Sequence, residues 1–231
     1  MQIADCVLQS QNPKSLTIGN TPYASFSLMI PLYSLQEWLS RGLAIVLILS
    51  LKGLVQAWVA ARLGDEGPKQ DGRLTPNPAQ HISFVGLVSF LGFSLGWTKP
   101  MGLDPTRLGA RGFVGVALAG ILTCGALAWL AALLRPLVVN AFTSGDMGFV
   151  LSAFLNTLVD LSLWCAVLGL IPLFPLDGFT ALGGFIPRWW KWARTYVLYF
   201  EIGLLVLAIS KIPTALLGPL QSWLRQALAG F

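Results

Sequence analysis

Four apolar segments, separated by polar loops rich in Gly and Pro, dominate the hydrophobic pattern of this chain. They cover approximately residues 41–62, 112–134, 148–172 and 196–210. A helix rises ~1.5 Å per residue, so about 20 apolar residues cross the hydrocarbon core of a bilayer. The pattern predicts an all-α membrane protein with about four transmembrane helices.

A fifth apolar segment, residues 82–97 ("ISFVGLVSFLGFSLGW"), is short and interrupted by glycines. The loops on both sides of it contain Pro, Asn and Asp, which favour turns. We therefore expect a re-entrant or hairpin segment here, and a spanning helix is the alternative.

The two ends of the chain differ from this membrane core. Residues 1–40 form a polar N-terminal arm that ends in an interfacial segment around Trp38, and they lack the pattern of a signal peptide. The membrane domain between them covers 41–215. Residues 216–231 are predicted to form an amphipathic C-terminal helix at the membrane surface.

The composition supports a membrane protein. Hydrophobic residues make up 55% of the chain and charged residues only 11%, whereas soluble domains carry about 25% charged residues. The net charge of +5 fits basic residues at membrane edges and contact with anionic lipids, so we expect no nucleic-acid partner. The three cysteines, Cys6, Cys124 and Cys165, lack the spacing of a metal site.

The basic residues also predict an orientation. If 82–97 is re-entrant, nine Lys and Arg residues lie on one side of the membrane and five on the other, with Lys52 inside a span. The positive-inside rule then places the loop 62–111 and the segment 173–195 in the cytoplasm. If 82–97 spans the membrane, the count no longer separates the two sides.

Lys52 is the most unusual residue of the first span. It lies about 11 residues into the span, near the bilayer midplane, where an unpaired charge costs roughly 2.5–3.5 kcal/mol. We expect it to pair inside the protein, with Asp177 or Asp160 as partner and Glu201 as a weaker choice. The alternatives are that Lys52 extends to the interface and that Asp160 bonds to a neighbouring helix or subunit.

Five motifs, in order, resemble landmarks of the site-2 protease family of intramembrane zinc metalloproteases, in its short bacterial form. They are "VAARLGD", "DGRLTPNPAQHISFVG", "GWTKPMGLDPTRL", "GVALAGILTCGALA" and "GLIPLFPLDG", and the resemblance covers about residues 43–215. It implies the membrane core of that family and a location in the bacterial inner membrane.

The zinc motif of the family, H-E-x-x-H, falls on Lys52-Gly53-Leu54-Val55-Gln56 in this chain. Lys52 and Gln56 stand where the resemblance implies histidine ligands, and Gly53 stands where it implies the glutamate base. The implied third ligand, Asp177, is retained. Two asparagines of the family are replaced as well, by Cys124 and Gly169.

These replacements remove what zinc hydrolysis needs, which is three protein ligands, an open water position and a base. The single histidine, His81, lies in a loop at a position where the family also has His, so a structural turn role is favoured. We expect no metal or other cofactor and no protease activity. We expect Lys52 to pair with Asp177, directly or through water, with Gln56 bonding nearby and Asp160 as the competing partner.

A degenerate membrane protease has three possible roles. We favour a structural or accessory subunit of a larger membrane complex, respiratory or photosynthetic, whose partners are other membrane subunits and lipids. The first alternative is a pseudoprotease that binds transmembrane clients without cleaving them. The second is a transporter-like or ligand-binding protein that has no such clients.

Overall fold

The structure is a computed structural model that describes residues 34–142 and 146–229, so the N-terminal arm before Ser34 lies outside the described residues. The described chain is helical, as predicted. Its helices are α1 (Leu35–Arg62), α2 (Gly67–Gln70), α3 (Phe84–Phe93), α4 (Pro105–Ala141), α5 (Asp146–Gly169), α6 (Asp177–Gly183), α7 (Pro187–Thr195), α8 (Val197–Ile209) and α9 (Ile212–Ala229).

Helix α1 begins earlier than predicted. The Ser34 hydroxyl accepts a hydrogen bond from the Glu37 backbone N–H at 3.3 Å, and Glu37 Oε2 accepts one from the Ser34 N–H at 2.7 Å. This capping box fixes the start of the helix at Leu35. The predicted interfacial segment before residue 41 is therefore the first part of α1 and not a separate piece.

Three helices, α1, α4 and α5, are long and apolar enough to cross a membrane. They pack against one another through Ile45, Ile48 and Leu49 of α1, Ala128 of α4 and Leu161 of α5, all of which are buried. Together with the similarity reported below, these helices confirm an integral membrane protein.

The fourth predicted span, 196–210, corresponds to α8, which forms a bent pair with α7. Helix α8 has 13 residues, which at ~1.5 Å per residue is shorter than a bilayer core, and α7 meets it at 82°. Helix α9 begins at Ile212, four residues before the predicted C-terminal helix. Within residues 34–142 and 146–229 the count of candidate spanning helices is thus three, or four if α7 and α8 form one broken span.

Segment 82–97 forms the short helix α3 of ten residues, which is too short to cross a bilayer. An antiparallel bridge between Ile82 and Thr98 joins its two ends, so the segment is a hairpin. The Arg41 guanidinium holds the far end by donating to the carbonyl of Phe90 at 3.2 Å and to Ser94 Oγ at 2.8 Å. The re-entrant interpretation fits this geometry, and the spanning alternative does not.

Asp65, just after α1, ties the following loop together. Its side chain is almost fully buried, and it accepts hydrogen bonds from the backbone N–H groups of Gly67 at 2.9 Å and Asp104 at 2.8 Å. Gly67 opens α2, and Asp104 caps α4. One carboxylate therefore fixes the start of two helices relative to the end of α1.

We expect Asp65→Ala to lower the free energy of unfolding by about 1–3 kcal/mol, because two buried backbone donors lose a charged acceptor. Reversible denaturation in detergent measures the change. Asp71→Ala is the matched control, because the Asp71 side chain is half-exposed and its contact with Arg73 is 3.9 Å long. Equal effects of the two substitutions would contradict the role given to Asp65.

Candidate functional site

The positions that the family resemblance aligns with the zinc motif lie on the buried face of α1. Lys52 and Gln56 are one helical turn apart and are 3% and 5% exposed. They face Asp177, the first residue of α6, which is 4% exposed. The structure therefore brings Lys52, Gln56 and Asp177 together.

Both oxygens of the Asp177 carboxylate are engaged. Lys52 Nζ lies 2.7 Å from Asp177 Oδ2, and Gln56 Nε2 donates a hydrogen bond to Asp177 Oδ1 at 2.8 Å. Gln56 Nε2 also lies 3.4 Å from the carbonyl oxygen of Val116 on α4. The ammonium and the amide together join α1 to the start of α6 and to α4.

The other carboxylates considered for Lys52 have different partners. Asp160 Oδ1 on α5 lies 2.9 Å from a guanidinium nitrogen of Arg225 on α9. Glu201 on α8 accepts hydrogen bonds from Ser83 and Trp97. Lys52 is instead paired with Asp177, and its Nζ also lies 3.7 Å from Cys165 Sγ on α5.

Two glycines provide the room for this cluster. A Cβ atom on Gly120 of α4 would collide with Gln56 Nε2, and one on Gly169 of α5 would lie 2.9 Å from Asp177 Oδ2. Gly169 is also one of the two positions at which the resemblance implies asparagine. Small residues at these two helix surfaces thus let the polar side chains approach.

His81 occupies the space beside Gly53, and the sequence analysis did not foresee this contact. A Cβ atom on Gly53 would lie 2.5 Å from His81 Nδ1 and 2.9 Å from His81 Cβ. The ring is fully buried, and its Nε2 lies 2.8 Å from the Thr75 carbonyl, to which it donates. The only sequence signal for this contact was a glycine at the implied base position.

The protonation state of His81 follows from its surroundings. Burial lowers the pKa of the ring below its usual value, and the bond to Thr75 opposes this only in part. The imidazole is therefore neutral near pH 7, and its Nδ1 has no hydrogen-bond partner within the described chain. His81 acts as a packed side chain that closes its loop onto α1.

A narrow cavity of about 20 Å³ adjoins the cluster and is lined in part by Gln56, Thr180 and Asp177. This volume is sufficient for about one water molecule. The site is therefore a packed polar cluster and not an open cleft.

The donor set does not fit the zinc ion that the family resemblance implies. Zinc in a hydrolase is held by three neutral imidazole or anionic ligands, whereas Lys52 here is an ammonium and Gln56 an amide. Of Lys52, Gln56 and Asp177, only Asp177 is a suitable ligand. Over residues 34–142 and 146–229, no three His, Cys, Asp or Glu side chains are gathered as a metal site.

Comparison with known proteins gives one informative relationship. The chain is 29% identical over 190 residues to a protein of Bacillus subtilis (strain 168) named "Putative zinc metalloprotease YwhC", and the match covers 77% of this chain and 84% of that protein. No protein-family model and no solved structure matches. The similarity confirms the resemblance to site-2 proteases that the five ordered motifs predicted.

We expect Lys52→Met and Asp177→Asn each to lower the free energy of unfolding by about 3–5 kcal/mol, because each leaves a buried charge without its partner. The free energy of unfolding of the double variant should fall by clearly less than the sum of the two single effects. Reversible unfolding in mixed micelles measures all three.

The control for the ion pair is Arg107→Gln, which breaks the exposed pairs with Glu66 and Asp104 and should cost about 0–1 kcal/mol. Strict additivity of the Lys52 and Asp177 effects would show that the two side chains do not interact.

We expect Gly53→Ala to lower the free energy of unfolding by about 1–3 kcal/mol, because the new methyl group overlaps the His81 ring. In a protein that already carries His81→Ala, the further substitution Gly53→Ala should cost much less than it does in the unaltered protein. Gly42→Ala on the same helix is the control, because a Cβ atom at position 42 meets nothing within 4 Å. This substitution should raise the free energy of unfolding by up to about 1 kcal/mol. The contact is refuted if Gly53→Ala behaves like Gly42→Ala.

Proposed function

We propose that this site-2-protease-like membrane protein is catalytically inactive and serves as a structural or accessory subunit of a larger membrane complex. The proposal rests on one observation. The ammonium of Lys52, at the position implied for the first zinc ligand, lies 2.7 Å from Asp177, the one retained ligand. A fixed cation in that place repels a metal ion and uses the carboxylate that the metal would need.

The position implied for the base supports the same conclusion. Gly53 offers no side chain, and His81 fills the adjacent space. A general base must reach the water whose proton it takes, and the His81 ring is fully buried against α1. The geometry thus favours a packed core over a site for hydrolysis.

The ion pair explains why such a core would be retained. A metal ion in the family links the first core helix to the "LDG" segment, and here Lys52 and Gln56 make that link without a metal. We propose that the preserved helical body docks against other membrane subunits and lipids in the bacterial inner membrane. The basic loop 62–111 would face the cytoplasm.

Client binding without cleavage is the second candidate, and a groove on α8 favours it. The groove has a volume of about 630 Å³ and is almost entirely apolar, with Phe174, Trp192, Tyr196 and Phe200 in its lining. Aromatic side chains of this kind could hold an apolar transmembrane segment of another protein.

Purification from native membranes in a mild detergent separates the two candidates. The structural role predicts stoichiometric recovery with one set of membrane subunits, whereas client binding predicts small amounts of many unrelated membrane proteins. For client binding, Trp192→Ala together with Phe200→Ala should reduce the recovery. A monomer that is recovered alone would contradict both.

The loss of catalysis has its own measurement. We expect no stoichiometric zinc by elemental analysis and no chelator-sensitive cleavage of a transmembrane test peptide, with the Bacillus subtilis relative purified in parallel for comparison. Bound zinc together with such cleavage would overturn the proposal.

A further inference from the structure

A second polar cavity lies between the start of α3 and the start of α8, and it shares Lys99 and Pro100 with the lining of the small cavity beside the Lys52 cluster. It has a volume of about 340 Å³, and its lining includes Ser83, Lys99, Arg194 and Glu201. Two cationic residues and one acidic residue therefore line the same space. Neither the ion pair nor the proposed loss of catalysis involves any of them.

The Glu201 carboxylate is buried, and one of its two oxygens is free to accept a hydrogen bond from a ligand. It is 7% exposed on an apolar helix, where an ionisable group is costly and marks a candidate functional site. Its Oε1 accepts hydrogen bonds from Ser83 Oγ at 2.6 Å and Trp97 Nε1 at 3.2 Å. Its Oε2 makes no hydrogen bond or ion pair with the described residues, so this oxygen remains available to a donor in the cavity.

Lys99 and Arg194 supply the opposite charge. Both residues line the cavity, and within the described ranges neither side chain forms a hydrogen bond or an ion pair with another residue. Lys and Arg are the usual side chains for binding phosphate. The cavity thus combines a phosphate-binding side with an ammonium-binding side.

The residues around the cavity are typical of a membrane interface. The corner between α7 and α8 carries Trp189, Trp192 and Tyr196, which are exposed and are typical of the headgroup region. Apolar side chains at the cavity and next to it are also exposed, with Phe84 at 79% and Leu198 at 56%. A ligand whose polar head enters the cavity could therefore extend apolar chains along this surface.

We propose that this cavity binds the head group of a phospholipid with a primary ammonium, of the phosphatidylethanolamine class. Its phosphate lies between Lys99 and Arg194, and its ammonium donates to Glu201 Oε2. A trimethylammonium head group has no N–H to donate, and a phosphatidylglycerol head group has no cation for the carboxylate. The site therefore prefers phosphatidylethanolamine to phosphatidylcholine and phosphatidylglycerol.

The test is native mass spectrometry of the full chain released from nanodiscs that contain equal amounts of the three phospholipids. Phosphatidylethanolamine should be retained preferentially. Glu201→Gln, which can still accept from Ser83 and Trp97, should reduce that retention about tenfold, as should Lys99→Ala combined with Arg194→Gln. The controls are Lys69→Ala and Glu66→Gln, which remove exposed charges outside the cavity. These two variants should retain the lipid as the unaltered chain does.

Folding and ligand source are tested separately. Phosphatidylethanolamine should raise the thermal unfolding temperature of the unaltered protein. Free phosphoethanolamine and inorganic phosphate should leave this temperature unchanged. Equal retention of the three lipids by the unaltered chain would overturn the proposal. Equal stabilisation by free phosphoethanolamine would overturn the lipid assignment, and this result does not depend on the folding of any variant.

Discussion

The buried ion pair between Lys52 and Asp177 is the constraint on which the interior of this protein depends. An ammonium near the middle of a membrane helix needs an opposite charge and hydrogen bonds within reach, since lipid offers neither. The position of Asp177 at the start of α6, the amide of Gln56 beside it and the glycines at 120 and 169 all serve that requirement. The core of α1, α4 and α5 is packed around a polar centre.

Much of this arrangement could be predicted, because an unpaired charge and exposed apolar helices each carry a large free-energy cost. The cost of an unpaired charge predicted a partner for Lys52, and the ordered motifs pointed to Asp177. The length and apolar character of the long helices also predicted their membrane role. The "SLQE" capping box at Ser34 was present in the sequence as well, but Trp38 and the polar residues around it favoured a separate interfacial segment.

The contact between Gly53 and His81 could not be predicted in this way. It depends on how the loop after α1 returns to the helix, and that path is set by Asp65, by the bond of His81 to Thr75 and by the bridge between Ile82 and Thr98. Each is a contact between residues distant in sequence, with no periodic pattern. The bend between α7 and α8 could not be predicted either. The apolar run from Tyr196 does not show at what angle the preceding helix meets it.

The packing of His81 against α1 also limits which side chains position 53 can hold. Any side chain larger than hydrogen at this position would overlap the buried imidazole. Building an H-E-x-x-H sequence into α1 by design would therefore take more than substitutions at positions 52, 53 and 56. It would also require a smaller residue in place of His81, or a different path for the loop that carries it.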